Sequence, residues 1–278
     1  MTGSRVRRWL GLTVVATTLA AIPSVPAAAA SVPNAQPFSG VGAVGALFTR
    51  GAHNTLGQHF CTASVVNSPG GDLVITAAHC LDGRNPQRIA FVPGYDAGRE
   101  PYGVWLVRKV VRVSPRVLAA APDDDIAFLL VGMADAKRTL QSMTGAEGLG
   151  EPSSRQRVLT IGYPDGQSRP VGCVNVIRDT GRAPVEFDCG GYTGGTSGGP
   201  LIAAFSPVTG IGVIVGVIGG YEQGGYSPAV SYTPRFGRQV EALYAEATTP
   251  GVAHKPAHRP HARRHHARRH HRRRHRRG

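Results

Sequence analysis

The sequence predicts an all-β fold of antiparallel strands. Short runs rich in β-branched residues recur along residues 31–249, and Gly, Pro, Asn and Asp separate them. The chain has 37 glycines, which suit many turns and close approaches of the backbone. This spacing is typical of a barrel or a sandwich, and the segment is long enough for one all-β domain or for two barrels.

Ten runs have the composition of strands. They are, in chain order, Val41–Thr49, Phe60–Val66, Leu73–Ala77, Arg88–Val92, Val104–Val113, Asp125–Val131, Val158–Tyr163, Val171–Ile177, Pro184–Cys189 and Ile211–Gly219. The stretch 134–157, between the sixth and the seventh run, is polar and rich in turn formers. We therefore expect it to link two halves of the domain.

One short helix is predicted to close the domain, over about 234–247. Thr233 can cap this helix and Pro234 can occupy its first position. The apolar side chains that follow fall on one helical face; they are Phe236, Val240, Leu243 and Tyr244. The composition changes after Thr248, so we place the end of the domain at residue 249.

The two ends of the chain differ from its centre. Residues 1–30 have the pattern of a secretory signal peptide, with three arginines, a short apolar stretch and small residues at Ala27–Ala30 for cleavage. A membrane anchor is the competing interpretation, but the stretch is too short and too rich in Thr and Ala to span a bilayer well. Residues 250–278 hold ten Arg, one Lys, eight His and no acid, which predicts a disordered tail.

The formal net charge of +14 comes from these ends, because residues 31–249 balance 17 basic with 17 acidic residues. We expect the tail to act as an electrostatic tether to anionic polymers such as cell-wall phosphates, acidic lipids or nucleic acid. A solubilising extension is the alternative. The tail lacks interleaved aromatic residues, so specific nucleic-acid recognition is not expected.

The chain has four cysteines, and an even count behind an export signal indicates disulfides. Of the three possible connectivities we favour Cys61–Cys80 and Cys173–Cys189, because each closes a short loop around a predicted strand pair. A zinc site is the alternative, but no pair has the close spacing of a metal knuckle. We therefore expect neither a metal nor a cofactor.

Three short motifs carry the chemistry. Residues 76–80 read Thr-Ala-Ala-His-Cys, residues 123–130 read Asp-Asp-Asp-Ile-Ala-Phe-Leu-Leu, and residues 191–201 read Gly-Tyr-Thr-Gly-Gly-Thr-Ser-Gly-Gly-Pro-Leu. They contain, in this order, the histidine, the carboxylate and the serine that acyl-transfer chemistry requires.

Ser197 is the predicted nucleophile, although an ordinary glycine-rich loop is the alternative. A serine hydroxyl needs a base to remove its proton, and His79 is the candidate. The backbone N–H groups of Gly195 and Ser197 could form an oxyanion hole for the reacting carbonyl.

Asp125 is expected to hold the tautomer of His79 and to stabilise its charged form. Asp123 and Asp124 are competing candidates, but only Asp125 directly precedes the apolar run, so we expect its neighbours to be solvated turn residues. His53 and His59 lack such a context and are expected at the surface.

These motifs resemble the trypsin and chymotrypsin family of serine peptidases, in particular its secreted bacterial members, over roughly residues 40–247. The resemblance implies two antiparallel six-stranded β-barrels, about 40–135 and about 155–235, with the active site in the cleft between them. It implies the same roles for His79, Asp125 and Ser197. It also matches Cys61–Cys80 to the family's histidine-loop disulfide.

The sequence departs from the family in two places. The usual Asp before the serine is Thr196, which cannot form an ion pair with a new N-terminal amine after zymogen cleavage. The usual Ser-Trp-Gly on the strand beside the primary pocket is Ile218-Gly219-Gly220.

The resemblance places the pocket floor at Gly191 beside Tyr192, and the open walls at Gly219 and Gly220. A floor without a charge predicts a preference for neutral or apolar side chains over Lys and Arg. Tyr192, Thr193 and Glu222 are expected to lie close enough to alter the pocket.

The expected function is therefore a secreted, monomeric serine endopeptidase that acts on proteins or peptides through an acyl-enzyme and is retained at the cell surface by its tail. The alternative is a catalytically silent β-barrel protein that binds anionic cell-surface polymers. A silent protein of this kind usually lacks one member of the triad, and here none is lacking.

Overall fold

A computed structural model describes residues 31–133 and 137–250. The predicted signal peptide, and the predicted tail from residue 251 onward, lie outside the described residues. The strands, in chain order, are β1 (Gln36–Pro37), β2 (Val44–Arg50), β3 (Leu56–Val66), β4 (Leu73–Thr76), β5 (Ile89–Pro93), β6 (Trp105–Arg112), β7 (Ala127–Gly132), β8 (Gly148–Leu149), β9 (Arg157–Gly162), β10 (Val171–Arg178), β11 (Val185–Asp188), β12 (Pro200–Ser206), β13 (Ile211–Val217) and β14 (Val230–Thr233). The α-helices are α1 (Pro115–Ala120), α2 (Leu140–Thr144) and α3 (Arg238–Thr248).

The first half of the domain is a closed antiparallel barrel. Its six strands follow the order β2-β3-β4-β7-β6-β5, and β5 pairs back onto β2. Alternate side chains of these strands point inward and form an apolar interior that contains Leu47, Phe91, Trp105 and Leu129. The barrel removes sheet edges from this half of the molecule.

The second half is an eight-stranded sheet in which six antiparallel strands, β9 to β14, form the main part. β1 adds to β10, and β8 adds to β13 in a parallel pairing. Ile177, Phe187 and Leu201 belong to its apolar core. A further cluster contains residues of both halves, including Phe128 and Ile161, so the two halves share packed surface. The all-β prediction is confirmed.

Four strands lie outside the predicted runs, namely β1, β8, β12 and β14, and β12 is the longest of them. β12 follows the glycine-rich loop, begins with a proline and contains two alanines, so its composition is not that of a strand. It pairs with β9 on one side and with β13 on the other, and these partners fix it. The predicted link 134–157 is also structured in part, because it holds α2 and β8.

The prediction that Thr233 caps the last helix is wrong. α3 begins at Arg238, four residues later than predicted, and Gly237 is its N-cap without a side-chain hydrogen bond. Thr233 is instead the last residue of β14. Its hydroxyl accepts a hydrogen bond from Val217 N at 2.8 Å and donates one to Pro234 O at 3.1 Å, so it is not available to a helix.

The predicted apolar face of this helix does meet the core. Val240 and Leu243 are buried in α3, and Phe236 is buried just before it. Tyr244 is half-buried, and its hydroxyl donates to Asn67 O at 2.9 Å. The ring of Tyr244 also lies edge-on to Phe128 of the first barrel at 5.9 Å between ring centroids.

Two disulfides brace the fold. Cys61 pairs with Cys80 and Cys173 pairs with Cys189, with Cα separations of 6.2 and 6.6 Å. This is the connectivity that the sequence favours. Within the described ranges, no helix is long and apolar enough to cross a membrane.

Candidate active site

The imidazole of His79 is paired with a carboxylate. His79 lies in a short 3-10 turn, Ala78–Leu81, directly after β4. Its Nδ1 is 2.6 Å from Asp125 Oδ2. The backbone N of His79 also donates to Asp125 Oδ1 at 2.8 Å. A carboxylate accepts hydrogen bonds, so Nδ1 is the donor, and the neutral form of the ring then presents a lone pair at Nε2.

The carboxylate of Asp125 is almost fully enclosed, with 3% of its side chain exposed against 13% for His79. Burial alone would raise its pKa. The hydrogen bonds from His79 and from Gly220 N outweigh burial and lower the pKa below its usual value. Gly220 N donates to Oδ2 at 2.7 Å. The group is therefore ionised at neutral pH and can stabilise a charged imidazole.

The neighbouring acids are placed differently. Asp123 and Asp124 lie in a 3-10 turn, Pro122–Asp124, before the buried strand. Asp123 is exposed, and Asp124 is half-buried. Burial, followed by the charge of Asp123, raises the pKa of Asp124. Asp125 is the member of the run that contacts His79.

Ser197 lies in the loop between β11 and β12, whose glycines allow a conformation that other residues avoid. Gly195 and Gly198 have φ angles of +86° and +79°, in the left-handed region. A Cβ at Gly195 would lie 2.5 Å from Tyr163 O. A Cβ at Gly198 would collide with Thr62 O. The close packing of this loop therefore requires glycine at positions 195 and 198.

Backbone hydrogen bonds fix this loop against both halves of the domain. Ser197 O accepts from Thr62 N of the first barrel at 2.8 Å. Gly198 N donates to Ile218 O at 2.7 Å, and Ile218 is followed by the glycine pair beside Asp125. The serine loop, the histidine turn and the carboxylate thus belong to one packed unit.

A cavity of about 390 Å³ adjoins Ser197. Its lining includes Tyr192, Thr193, Ile218, Glu222 and Ser231. Tyr192 is buried and its hydroxyl donates to Thr160 O at 2.7 Å, while Ser231 is 2% exposed. The buried part of the lining is therefore uncharged, and the carboxyl-bearing Glu222 is exposed.

Of the four predicted pocket residues, Tyr192 lines this cavity and the three glycines do not. Gly191 packs against Ala35, to which a Cβ on Gly191 would lie 3.5 Å away. A Cβ on Gly219 would lie 2.8 Å from Asp125 Oδ2, so this glycine admits the carboxylate. The backbone N of Gly220 donates a hydrogen bond to the same oxygen, Asp125 Oδ2.

A second cavity, of about 340 Å³, has His79, Asp125, Leu118 and Gly220 in its lining. Glu222 lines both cavities, so they adjoin. Glu222 is one of the residues predicted to lie close enough to the pocket to alter it. Thr62 was not predicted as a site residue, and β3 gives no local signal for it, because the strand also contains the polar residues Gln58, His59 and Ser64.

His59 is half-buried, and its Nε2 lies 2.9 Å from Gln167 O, whereas His53 is exposed. Within the described ranges, the group of side chains with metal-ligand spacing is Cys61, His79 and Cys80. Both cysteines are disulfide-bonded and cannot supply thiolates.

Comparison with known proteins identifies relatives. The profile of a trypsin-like peptidase domain matches residues 61–211, which is more than half of the chain. No curated protein matches the chain.

Solved structures share the fold. The protease Anisep from Arthrobacter nicotinovorans is 22% identical, with a TM-score of 0.64, over 78% of this chain and 100% of that one. The thermostable serine protease AL20 from an extremophilic microorganism is 27% identical, with a TM-score of 0.61, over 75% of this chain and 97% of that one. Human heparin binding protein is 16% identical, with a TM-score of 0.59, over 79% of this chain and 98% of that one.

Proposed function

This chain belongs to the trypsin-like peptidase family, and on that basis we propose that it is a secreted serine endopeptidase. The family match supports a peptidase, which is a hydrolase. The protease neighbours share its fold. The proposal adds that Ser197, His79 and Asp125 form its catalytic triad. It also adds that the enzyme cuts within peptide chains through an acyl-enzyme.

The proposed reaction begins with attack by Ser197 Oγ on the carbonyl carbon of the scissile bond, while His79 Nε2 takes the hydroxyl proton. The N–H groups of Gly195 and Ser197 stabilise the resulting oxyanion. Collapse of this intermediate breaks the C–N bond, and His79 returns its proton to the leaving amine. Water then attacks the ester with His79 as base, and the carboxylic acid product leaves Ser197 free.

The observation that carries this proposal is the bonding of Asp125. Both of its oxygens contact His79, one at the ring and one at the backbone, and Gly220 N completes the set. This arrangement fixes the orientation of the ring and the tautomer with a basic Nε2. A buried histidine with a purely structural role would not need its backbone and its ring held by one enclosed carboxylate.

The uncharged buried lining of the cavity beside Ser197 supports substrates with neutral or apolar side chains there. An ammonium or guanidinium group in this cavity would lack a buried partner, because Glu222 lies at its exposed side.

Secretion is supported by the two disulfides and by the predicted signal peptide, which lies outside the described residues. Retention at the cell surface through the basic tail stays a prediction from the sequence.

The direct test is to treat the secreted protein with a serine-directed fluorophosphonate and to compare Ser197→Ala with Ser206→Ala, whose serine lies at the end of β12. We expect the label on Ser197, and hydrolysis lower by about 10⁴-fold or more in Ser197→Ala alone. Parent-rate hydrolysis by Ser197→Ala would remove Ser197 from the mechanism. A wild-type protein with neither label nor hydrolysis would favour the silent binding protein.

A further inference from the structure

We infer that Thr62 is a positioning residue that holds the Gly194–Ser197 loop in the conformation needed for an oxyanion hole. This inference rests on the proposed function. It concerns a residue of the first barrel that is hydrogen-bonded to the loop and is not one of the proposed reacting groups.

Thr62 is fully buried, and each of its polar atoms is used. Its hydroxyl donates to Gly195 O at 3.0 Å and accepts from Tyr163 N at 2.9 Å. Its backbone N donates to Ser197 O at 2.8 Å. Its carbonyl accepts from the Thr76 hydroxyl at 2.8 Å. One side chain therefore links the loop to a strand of each half of the domain.

These bonds hold the two peptide units on either side of Gly195. The unit that carries the N–H of Gly195 is held by Asp165 N, which donates to Gly194 O at 2.6 Å. The Thr62 hydroxyl holds the following unit, through Gly195 O. A peptide unit is planar and trans, so a bound carbonyl directs the N–H of the same unit to the opposite side. The two peptide units that flank Gly195 are both held in this way, and neither can turn without breaking a hydrogen bond.

The restraint matters because the loop lacks the acidic residue that the resemblance leads one to expect. Thr196 is 2% exposed, and its hydroxyl donates to Thr193 O at 2.6 Å inside the same loop. It therefore closes a local turn and makes no ion pair. The Thr62 hydroxyl supplies a restraint on the loop from outside it, without a charge.

Thr62 also couples the serine loop to the histidine turn. Its neighbour Cys61 forms the disulfide with Cys80, which directly follows His79. Two successive residues of β3 thus hold the two loops that carry the proposed base and the proposed nucleophile. Displacement of β3 at this point would change both positions together.

The test compares Thr62→Val, which has the same shape without the hydroxyl, with Thr62→Ser, which keeps the hydroxyl. The matched control is Thr233→Val, because Thr233 is also a fully buried strand residue that accepts from one backbone N–H and donates to one carbonyl. The full chain is assayed with a p-nitrophenyl ester for kcat and KM and by thermal unfolding. Thr62→Ala removes the same hydroxyl without an added methyl group and replaces the valine variant if that variant does not fold.

We expect kcat to fall by up to about 100-fold in Thr62→Val, the loss expected if the released peptide unit displaces one oxyanion donor, with KM changed by less than about two-fold. Thr62→Ser should regain most of this loss. Thr233→Val should lower the unfolding temperature and keep kcat. Wild-type kcat in Thr62→Val, or an equal loss of kcat in Thr233→Val, would overturn the inference. A wild-type protein that neither hydrolyses the ester nor takes up the fluorophosphonate refutes the proposed function instead.

Discussion

Glu147 is expected to make the protein less stable as the pH rises from about 5 to about 8. This side chain is fully buried. Its Oε2 accepts from Gly212 N at 2.5 Å, while its Oε1 has no hydrogen-bond partner among the described residues. Burial raises the pKa of Glu147 from 4.5 to about 7, against a smaller lowering by the Gly212 hydrogen bond.

The size of the effect follows from that pKa. The folded protein binds the proton more tightly than the unfolded chain, so the contribution to stability is complete below pH 4.5 and is lost as the pH rises towards 7. A difference of about 2.5 pKa units corresponds to about 3 kcal/mol at most, and most of that loss falls between about pH 5 and about pH 8.

Urea unfolding of the wild type and of Glu147→Gln, at about pH 5 and at about pH 8, measures this loss of stability. The amide cannot ionise, so we expect the variant to gain about 2.5 kcal/mol relative to the wild type when the pH is raised. Glu151→Gln is the control, because Glu151 is exposed. If the difference between wild type and Glu147→Gln is the same at both pH values, Glu147 does not titrate in this range and the reasoning is wrong.

Two further predictions concern catalysis. Asp125→Asn should fold normally and lose about 10⁴-fold in kcat for ester hydrolysis at neutral pH, because an amide cannot stabilise the charged imidazole or select its tautomer. The control variant Asp124→Asn should keep the parent kcat. An equal loss of kcat in both variants would contradict the role assigned to Asp125. A peptide library should be cut mainly after neutral or apolar residues, since the buried cavity lining is uncharged. Cleavage mainly after Lys or Arg would refute this and would point to Glu222 as the partner.

The predicted strands are those whose own residues are enough to indicate a strand, without knowledge of their partners. β7 is continuously apolar, and four of the 8 residues of β10 are β-branched, so the local pattern agrees with strand structure in both segments. β14 was missed because its four residues lie between a glycine-rich segment and Pro234, where Thr233 looks like a helix cap. Pairing with β11 decides its conformation, and that pairing is not visible locally.

The same distinction applies to the site. His79, Asp125 and Ser197 each lie in a local motif, so the sequence singles them out. Thr62 lies in a strand where a threonine is ordinary, and its role depends on partners such as Gly195, 133 residues away in the chain. Sequence patterns report which residues are unusual for their element, whereas a contact between distant elements depends on the folded arrangement.

The glycine pair 219–220 illustrates what changes when a family motif is replaced. Gly219 N donates to Tyr232 O at 3.0 Å, and Gly220 N donates to Asp125 Oδ2 at 2.7 Å. Both N–H groups therefore already have partners within the protein. A substrate chain lying beside these two residues would meet no available backbone donor. The carbonyl oxygen of Gly220 also has a partner already, because it accepts from Gln223 N at 2.9 Å. The Ile-Gly-Gly segment thus encloses the carboxylate of Asp125. Under the proposed function, recognition of the substrate backbone therefore depends more on the cavity beside Ser197 and on the loop that Thr62 holds.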